Sequence, residues 1–396
     1  MKNPTKITCN SLQLFEAAQT LCKVAGKNNA LPITDSLLLT AHPQMAEIEL
    51  RATNSRLHLT ASIDVAFASK NIPHFFCLIE ANLLRKALEY LPEQSITLSF
   101  DESKVEIIFE DGKLNLSQQF NHADFPQFKL NERWLTDISA LALNKTIDKV
   151  IYAVADYDLS HVISCLLIEA APNNLRFVGT DGRMMVVHDF LEENRDRHER
   201  QFLLKKAHVL TLKSILLANK NKKAKIQFDT KSICVCVGMY SLSIPLVKDA
   251  YPDYKKAIPN TYPNTLSINR QYLTQLVSRI EAFAHVGQPH EIQPVIFNLS
   301  ELENSVQNYP NQEAHVKINI MGAQYTGAPI QIGFNGKLLL AHLSKLKADE
   351  IKIFLNTPRT AALFVENPQD EAAKTEAIIM PTITTNHQEN GEQKNP

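Results

Sequence analysis

Much of what an enzyme needs is missing from this sequence. Glycine is scarce, with 11 among 396 residues. No GxxxxGKS/T segment is present, so there is no loop to cradle nucleotide phosphates. HExxH and GxSxG are absent too, which removes the commonest zinc-protease and serine-hydrolase signatures. The six cysteines, Cys9, Cys22, Cys77, Cys165, Cys234 and Cys236, include no CxxC pair. Cys234 and Cys236 stand two apart in an alternating run and read as small buried hydrophobes on one strand face. Such cysteine usage suits a reducing compartment. Met1–Asn10 has no apolar core of the signal-peptide kind, and no apolar run approaches the ~18–20 residues that span a bilayer. His285 and His290 have no matching ligand cluster, and Asp156 and Asp158 read as loop carboxylates. No cofactor and no metal are expected. Net charge is −1, so bulk electrostatics neither favour nor exclude a nucleic-acid partner.

Repetition is what the sequence does contain. A basic helical segment, Lys205–Lys223, is followed by alternating runs at Ala224–Asp229, Ser232–Val237 and Ser241–Val247, and by Tyr251-Pro252-Asp253-Tyr254. The same order occurs from Leu83 to Pro126 and from Leu338 to Pro381. Phe228 stands 128 residues after Phe100, and Ile353 stands 127 after Ile226. One unit of ordinary domain size is therefore written three times. The boundaries expected are 1–131, 132–259 and 260–383, with a polar, aperiodic tail at 384–396 that reads as disordered.

Each unit reads as two helices and many short strands. Ser11–Gly26 has helical periodicity with Ser11 as N-cap, Thr146–Val154 reads as a helix, and Asn269–Val286 carries an apolar stripe. Thr180-Asp181-Gly182 between apolar runs predicts a hairpin, because Asp and Gly tolerate positive φ. Alternating strands bury one face, which argues for antiparallel sheet covered by helices on that face. The fold class is α+β, three repeated domains of antiparallel sheet with two helices each.

Charge separates along the chain. Seven lysines and no acid lie between Lys205 and Lys225, whereas Glu89–Glu132 carries nine acids against three lysines. Three copies of one unit could gather the basic helices on a common surface. Such a surface binds phosphates without reading sequence. Repeats build surfaces and rings more readily than one asymmetric catalytic site.

These residues resemble the sliding-clamp family of bacterial replication, the beta subunit of DNA polymerase III. The matching stretches, in order, are Leu31-Pro32-Ile33, Phe177–Met185 (FVGTDGRMM), Tyr251–Pro259 (YPDYKKAIP), Ile332-Gly333-Phe334-Asn335 and Ile378–Pro381 (IIMP). The resemblance implies a homodimeric ring around duplex DNA, without catalysis of its own and located in the cytoplasm. It implies a processivity role, tethering the replicative polymerase and clamp-loader subunits through short hydrophobic peptide motifs. It puts a partner groove at Ile163, Thr180, Gly182, Arg183, Met184, Met185, Pro252, Lys256, Ala257, Asn335, Ile378, Met380 and Pro381. DNA contacts are expected at Lys27, Lys145, Lys149, Tyr157, Lys205, Lys206 and Lys213. The dimer contact is expected at Leu114 and Leu116 on one chain and Phe283 on the other. Arg183-Met184-Met185 departs from the family's frequent His-Arg-Leu, and the tail after Pro381 is longer than usual. The tail is expected to alter partner selectivity. An adaptor that keeps the groove without encircling DNA is the alternative function. A metal-dependent nuclease would need clustered carboxylates.

Overall fold

The computed structural model describes residues 5–25, 31–68, 76–101, 104–117, 121–128, 133–156, 162–194, 196–284, 294–308, 315–366 and 373–382. The chain is α+β, with every sheet antiparallel among the described strands. The element order runs strand, helix, three strands, strand, helix, three strands, and does so three times. Short extra strands at Ala66–Phe67 and Gln324–Thr326 are additions to that order. The six α-helices are α1 (Ser11–Leu21), α2 (Ala81–Leu88), α3 (Ala140–Val150), α4 (Lys206–Ala218), α5 (Arg270–Ala284) and α6 (Gly336–Leu343).

Two compact units result, Met1–Lys145 with Glu192–Val247, and Thr146–Leu191 with Lys248–Pro396. In the first unit, strand His58–Asp64 pairs with Tyr240–Pro245, so Leu59 meets Leu242 and both are fully buried. That pairing makes one eight-stranded sheet from two stretches of chain far apart in sequence. A separate five-stranded sheet ends on Gly112–Ser117. In the second unit, Met184–Phe190 pairs with Ala373–Ile379 in the same manner. The second unit also has a four-stranded sheet that includes Pro294–Leu299 and Ile330–Asn335.

Local chemistry explains the helix starts and shifts two of them. The N-cap of α1 is Asn10, whose side-chain oxygen accepts from Leu12 N at 2.9 Å and Gln13 N at 3.1 Å. Ser11, expected as the cap, instead donates its hydroxyl to Pro92 O at 2.8 Å. Leu14, Ala17, Ala18 and Leu21 form the buried stripe of α1. Helix α3 begins six residues before the expected Thr146, and Ile151–Ala153 continue it as a 3-10 turn. Helix α4 stops at Ala218, so Lys223 joins Lys225 in the strand Lys223–Phe228 instead of ending the helix. Lys225 places its ammonium 4.9 Å from the centre of the Trp134 ring. The basic stretch is thus divided between a helix and a sheet.

Candidate partner groove

The second unit gathers most of the expected groove around one hairpin turn. Strands Asn174–Thr180 and Met184–Phe190 pair with Thr180 opposite Met185. Asp181 closes the turn, its carboxylate accepting from Arg183 N at 2.8 Å and Met184 N at 2.7 Å. Thr180 Oγ1 donates to Met184 O at 2.7 Å and accepts from Gly182 N at 3.1 Å. Gly182 sits at φ +82°, a conformation that costs little only without a Cβ. Ile163 reaches the same place through backbone, because Ala155 N donates to both Ile163 O (3.3 Å) and Thr180 O (3.2 Å).

The third stretch closes on this turn. Met185 lies opposite Ile378, and Met184 opposite Ile379. Met380 N donates to Arg183 O at 2.8 Å, and Thr382 N donates to Gly333 O at 2.8 Å. Alternation separates the two methionines. Met184 shares a face with Val186 and His188, while Met185 shares the other with Val187, Asp189 and, across the ladder, Ile378. Met184, Met185 and Ile378 are all buried. Met380 is 44% exposed and is the large hydrophobic side chain that the site offers to solvent, beside exposed Gly182 and Arg183 and with Pro252 and Ala257 exposed too.

Pro252, Lys256 and Ala257 lie on a segment bound to the same face. Its 3-10 turn, Tyr254–Ala257, is anchored by Tyr254, whose hydroxyl donates to Glu169 Oε2 at 2.6 Å. Arg176, directly opposite Glu169, also bonds Tyr254 and forks onto Asp189 at 2.7 and 2.9 Å. Burial works to raise the Asp189 carboxyl, but bonds from Arg176 and Asn174 bring it below the usual range. The Tyr254 phenol is pushed up to about 12, by burial first and then by its bond to Glu169. Sequence reasoning misses this four-residue network. The YPDY stretch marks the position of Tyr254, but its carboxylate and guanidinium partners come from strands some 80 residues away in sequence. Asn335 serves the helix that follows it. Its side chain caps α6, accepting from Lys337 N at 3.0 Å and Leu338 N at 3.3 Å.

Other expected residues are dispersed. Lys27, Tyr157 and the tail 384–396 lie outside the described residues. Lys145 is exposed on α3, and Lys149 donates to Thr375 Oγ1 at 3.5 Å. Lys205 precedes α4, Lys206 opens it, and Lys213 stands two turns on, all half-buried. Leu114 and Leu116 share one face of the edge strand Gly112–Ser117; Leu114 is half-buried and Leu116 is 2% exposed, so Leu116 packs within its own chain. Phe283 is exposed in the last turn of α5. Among the described residues no cluster of three His, Cys, Asp or Glu could hold a metal ion.

Comparison with known proteins gives the family. Residues 5–129 match the N-terminal domain, and residues 255–383 the C-terminal domain, of the DNA polymerase III beta subunit. The chain belongs to the DNA polymerase III beta subunit family. It is a sliding clamp, 24% identical to the beta sliding clamp of Vibrio cholerae over 384 residues, covering 95% of this chain and 99% of that one. The Pseudomonas putida clamp is 23% identical over 374 residues, covering 93% and 97%. A Pseudomonas aeruginosa clamp solved with ligand superposes with a TM-score of 0.86 at 20% identity, covering 96% of this chain and 100% of that chain.

Proposed function

We propose that this clamp closes as a head-to-tail homodimer around duplex DNA and tethers the replicative polymerase, and in turn clamp-loader subunits, through the groove in its second unit. The reading takes each chain as three domains, 1–131, 132–259 and 260–383, so that six complete the ring. The thrice-repeated element order supports it. One observation carries the partner role: the Met380 side chain stands exposed where Arg183 and the Met185–Ile378 pair meet. An exposed apolar anchor point beside polar groups suits a short hydrophobic peptide. A related Pseudomonas aeruginosa clamp has been solved bound to griselimycin, so clamps of this fold do hold ligands.

DNA is held without sequence reading, by Lys145, Lys149, Lys205, Lys206 and Lys213, with Lys27 and Tyr157. Helix α4 supports this. Asn10, Asn269 and Asn335 cap α1, α5 and α6 by side-chain bonds, but α4 has Lys205 at the cap position and no side-chain cap bond. Two lysines at an uncapped helix N-terminus favour a phosphate oxygen. Leu114 and Phe283 make the subunit contact, with backbone of the Gly112–Ser117 edge strand, because an unpaired edge is a template for pairing. The clamp does no chemistry itself. Its benefit is high effective concentration of a tethered polymerase. It works in the cytoplasm, where its six cysteine thiols, none in a disulfide, stay reduced.

Light scattering across a dilution series tests closure. The expected mass is twice 44.6 kDa and persists on dilution. A monomer at every concentration would sink the ring. Met380→Asp is expected to weaken a polymerase tail peptide by at least ~30-fold while leaving the dimer mass unchanged, the size of a hot-spot loss.

A further inference from the structure

Cys234 and Cys236 do more than fill space on their strand. Both lie on Ser232–Val237 of the eight-stranded sheet, with side chains on one face. Cys234 is opposite Gln227 on one neighbouring strand, and Cys236 is opposite Ser241 on the other. The matching ladder positions hold Glu106 and Ile108 in the first copy of the repeat, and Leu363 and Val365 in the third. The strand therefore forms without thiols, and the pair belongs to the second copy alone.

The two sulfurs lean together. Residues two apart on a strand have Cα atoms about 6.7 Å apart, and their side chains leave the sheet in parallel. The Sγ atoms of Cys234 and Cys236 are nonetheless 3.9 Å apart. Ser241 Oγ closes a triangle with them, 3.1 Å from Cys234 Sγ and 3.4 Å from Cys236 Sγ. Gln227 Oε1 lies 3.5 Å from Cys236 Sγ. Cys236 and Ser241 are half-buried, and Cys234 and Ser241 line an open pocket on this face, so a small ion can reach the pair.

A disulfide does not suit this pair, but a metal ion does. A disulfide needs Cβ atoms about 3.5–4.5 Å apart, closer than the strand spacing allows. A tetrahedral ion with metal–sulfur bonds of about 2.3 Å sets its sulfurs about 3.8 Å apart, close to the spacing of this pair. A linear two-sulfur ion with the same bonds would need about 4.6 Å. The sulfur–oxygen edges of the tetrahedral site are about 3.6 Å, so the two oxygens would move by about half an ångström or less. Among the described residues no third His, Cys, Asp or Glu joins the pair, so the remaining positions fall to Ser241 and Gln227. Soft thiolates favour ions of the zinc class over hard ions such as magnesium. Two thiolates also cancel a divalent charge, which leaves no net charge to bury.

We infer that Cys234 and Cys236 bind a thiophilic divalent ion of the zinc class as thiolates, with Ser241 Oγ and Gln227 Oε1 completing a tetrahedral site. Each thiol releases its proton to solvent as its metal–sulfur bond forms, so affinity rises with pH. No electron is transferred.

The test uses the full chain, kept reduced with a phosphine, and Cd²⁺ as the probe, read by its ultraviolet thiolate charge-transfer band. One ion per chain is expected to bind saturably, with Zn²⁺ competing and Mg²⁺ not. Cys234→Ser and Cys236→Ser should each weaken Cd²⁺ by at least about 100-fold, the upper end of what loss of a supporting residue costs. Ser241→Ala should weaken it by about tenfold. Cys22→Ser, which removes a half-buried thiol elsewhere in the chain, should leave it unchanged. Circular dichroism confirms the fold of each variant. X-ray absorption of the zinc-loaded chain needs no variant, and should show two sulfurs at about 2.3 Å with lighter atoms at about 2.0–2.2 Å. No saturable binding overturns the inference. So does unchanged affinity in either cysteine variant, or a shell of three or four sulfurs, which would mean that other thiols or a second chain supply the site.

Discussion

The turn from Thr53 to Leu57 and the turn from Thr180 to Met184 are the same structure built in two units. Thr53 Oγ1 donates to Leu57 O at 2.9 Å, as Thr180 Oγ1 does to Met184 O. Asn54 Oδ1 accepts from Arg56 N at 3.1 Å and Leu57 N at 2.8 Å, as Asp181 does from Arg183 and Met184. Ser55 holds φ +68° where Gly182 holds +82°. Beyond the turn the two diverge. His58 and Ser243 stand where Met185 and Ile378 stand, and Ala52 stands where Gly179 does. A local hydrogen-bond pattern survives duplication because it depends on a few adjacent residues. Side chains on the open face are under no such local constraint, and there the two units differ.

The largest expected effect is on acid stability, where each unit has its own buried histidines. His342 is fully buried, and burial lowers its imidazole from 6.5 to about 4. Its Nδ1 lies within hydrogen-bond distance, 2.6 Å, of the Tyr152 hydroxyl. The unfolded chain takes up the proton near pH 6.5 and the folded chain only near 4, so the contribution is complete above pH 6.5 and is lost as pH falls. At pH 4.5 this one group should cost about 2.5 kcal/mol. Urea midpoints at pH 7 and pH 4.5 would read it, and the double change Tyr152→Phe, His342→Leu should remove that share of the slope. His208 and His58 lie in the first unit and are likewise lowered to about 4, so its own acid response should persist in that variant.

Next in size is the Gly179–Ala52 contrast. A Cβ at Gly179 would meet Val154 Cγ2 at 2.7 Å and the carbonyl oxygen of Val150 at 2.9 Å. Gly179→Ala should therefore cost about 2 kcal/mol by overpacking against backbone. Ala52→Gly should cost about 1 kcal/mol or less, through backbone entropy. Equal losses in denaturant titrations would mean that the second unit's tight packing carries no weight.

The threonine clasp should matter more where it is drier. Thr53 is fully buried and Thr180 is half-buried. Thr53→Val should cost about 1–2 kcal/mol, and Thr180→Val roughly half of that, since water can replace the exposed bond. The smallest effects belong to the left-handed positions. Nothing lies within 4 Å of a Cβ built at Gly182, so Gly182→Ala meets only the backbone penalty, about 1 kcal/mol. Ser55→Gly should be neutral or stabilising by a few tenths of a kcal/mol. A large loss in Ser55→Gly would mean that the turn depends on the serine side chain and not on the bonds shared with Gly182.

The readable parts of the fold are those set by neighbours in sequence. Thr180-Asp181-Gly182 announces its hairpin, and the alternation in Ser232–Val237 announces a strand. Helix ends are less readable. Asn10 and Ser11 are both good caps, and what decides between them is Pro92 O accepting the serine hydroxyl. The run of lysines overstates the extent of α4, because lysine suits a helix and an exposed strand edge equally well, and Lys223 belongs to the strand. The groove is legible as a set of motifs, but not the network of Tyr254, Glu169, Arg176 and Asp189 that anchors one side of it.

The sequence by itself determined the repeat, the turns, the class of each element and which residues share a strand face, since these depend on chain stereochemistry and a period of two or 3.6 residues. Only the tertiary structure decided which strands meet. Periodicity says that Leu59 and Leu242 each face inward, but not that they face each other, and it is silent on Met185 meeting Ile378. Those pairings join stretches that no local preference links; burial of the two facing apolar rows selects them, because a one-residue slip would turn every side chain to the wrong face.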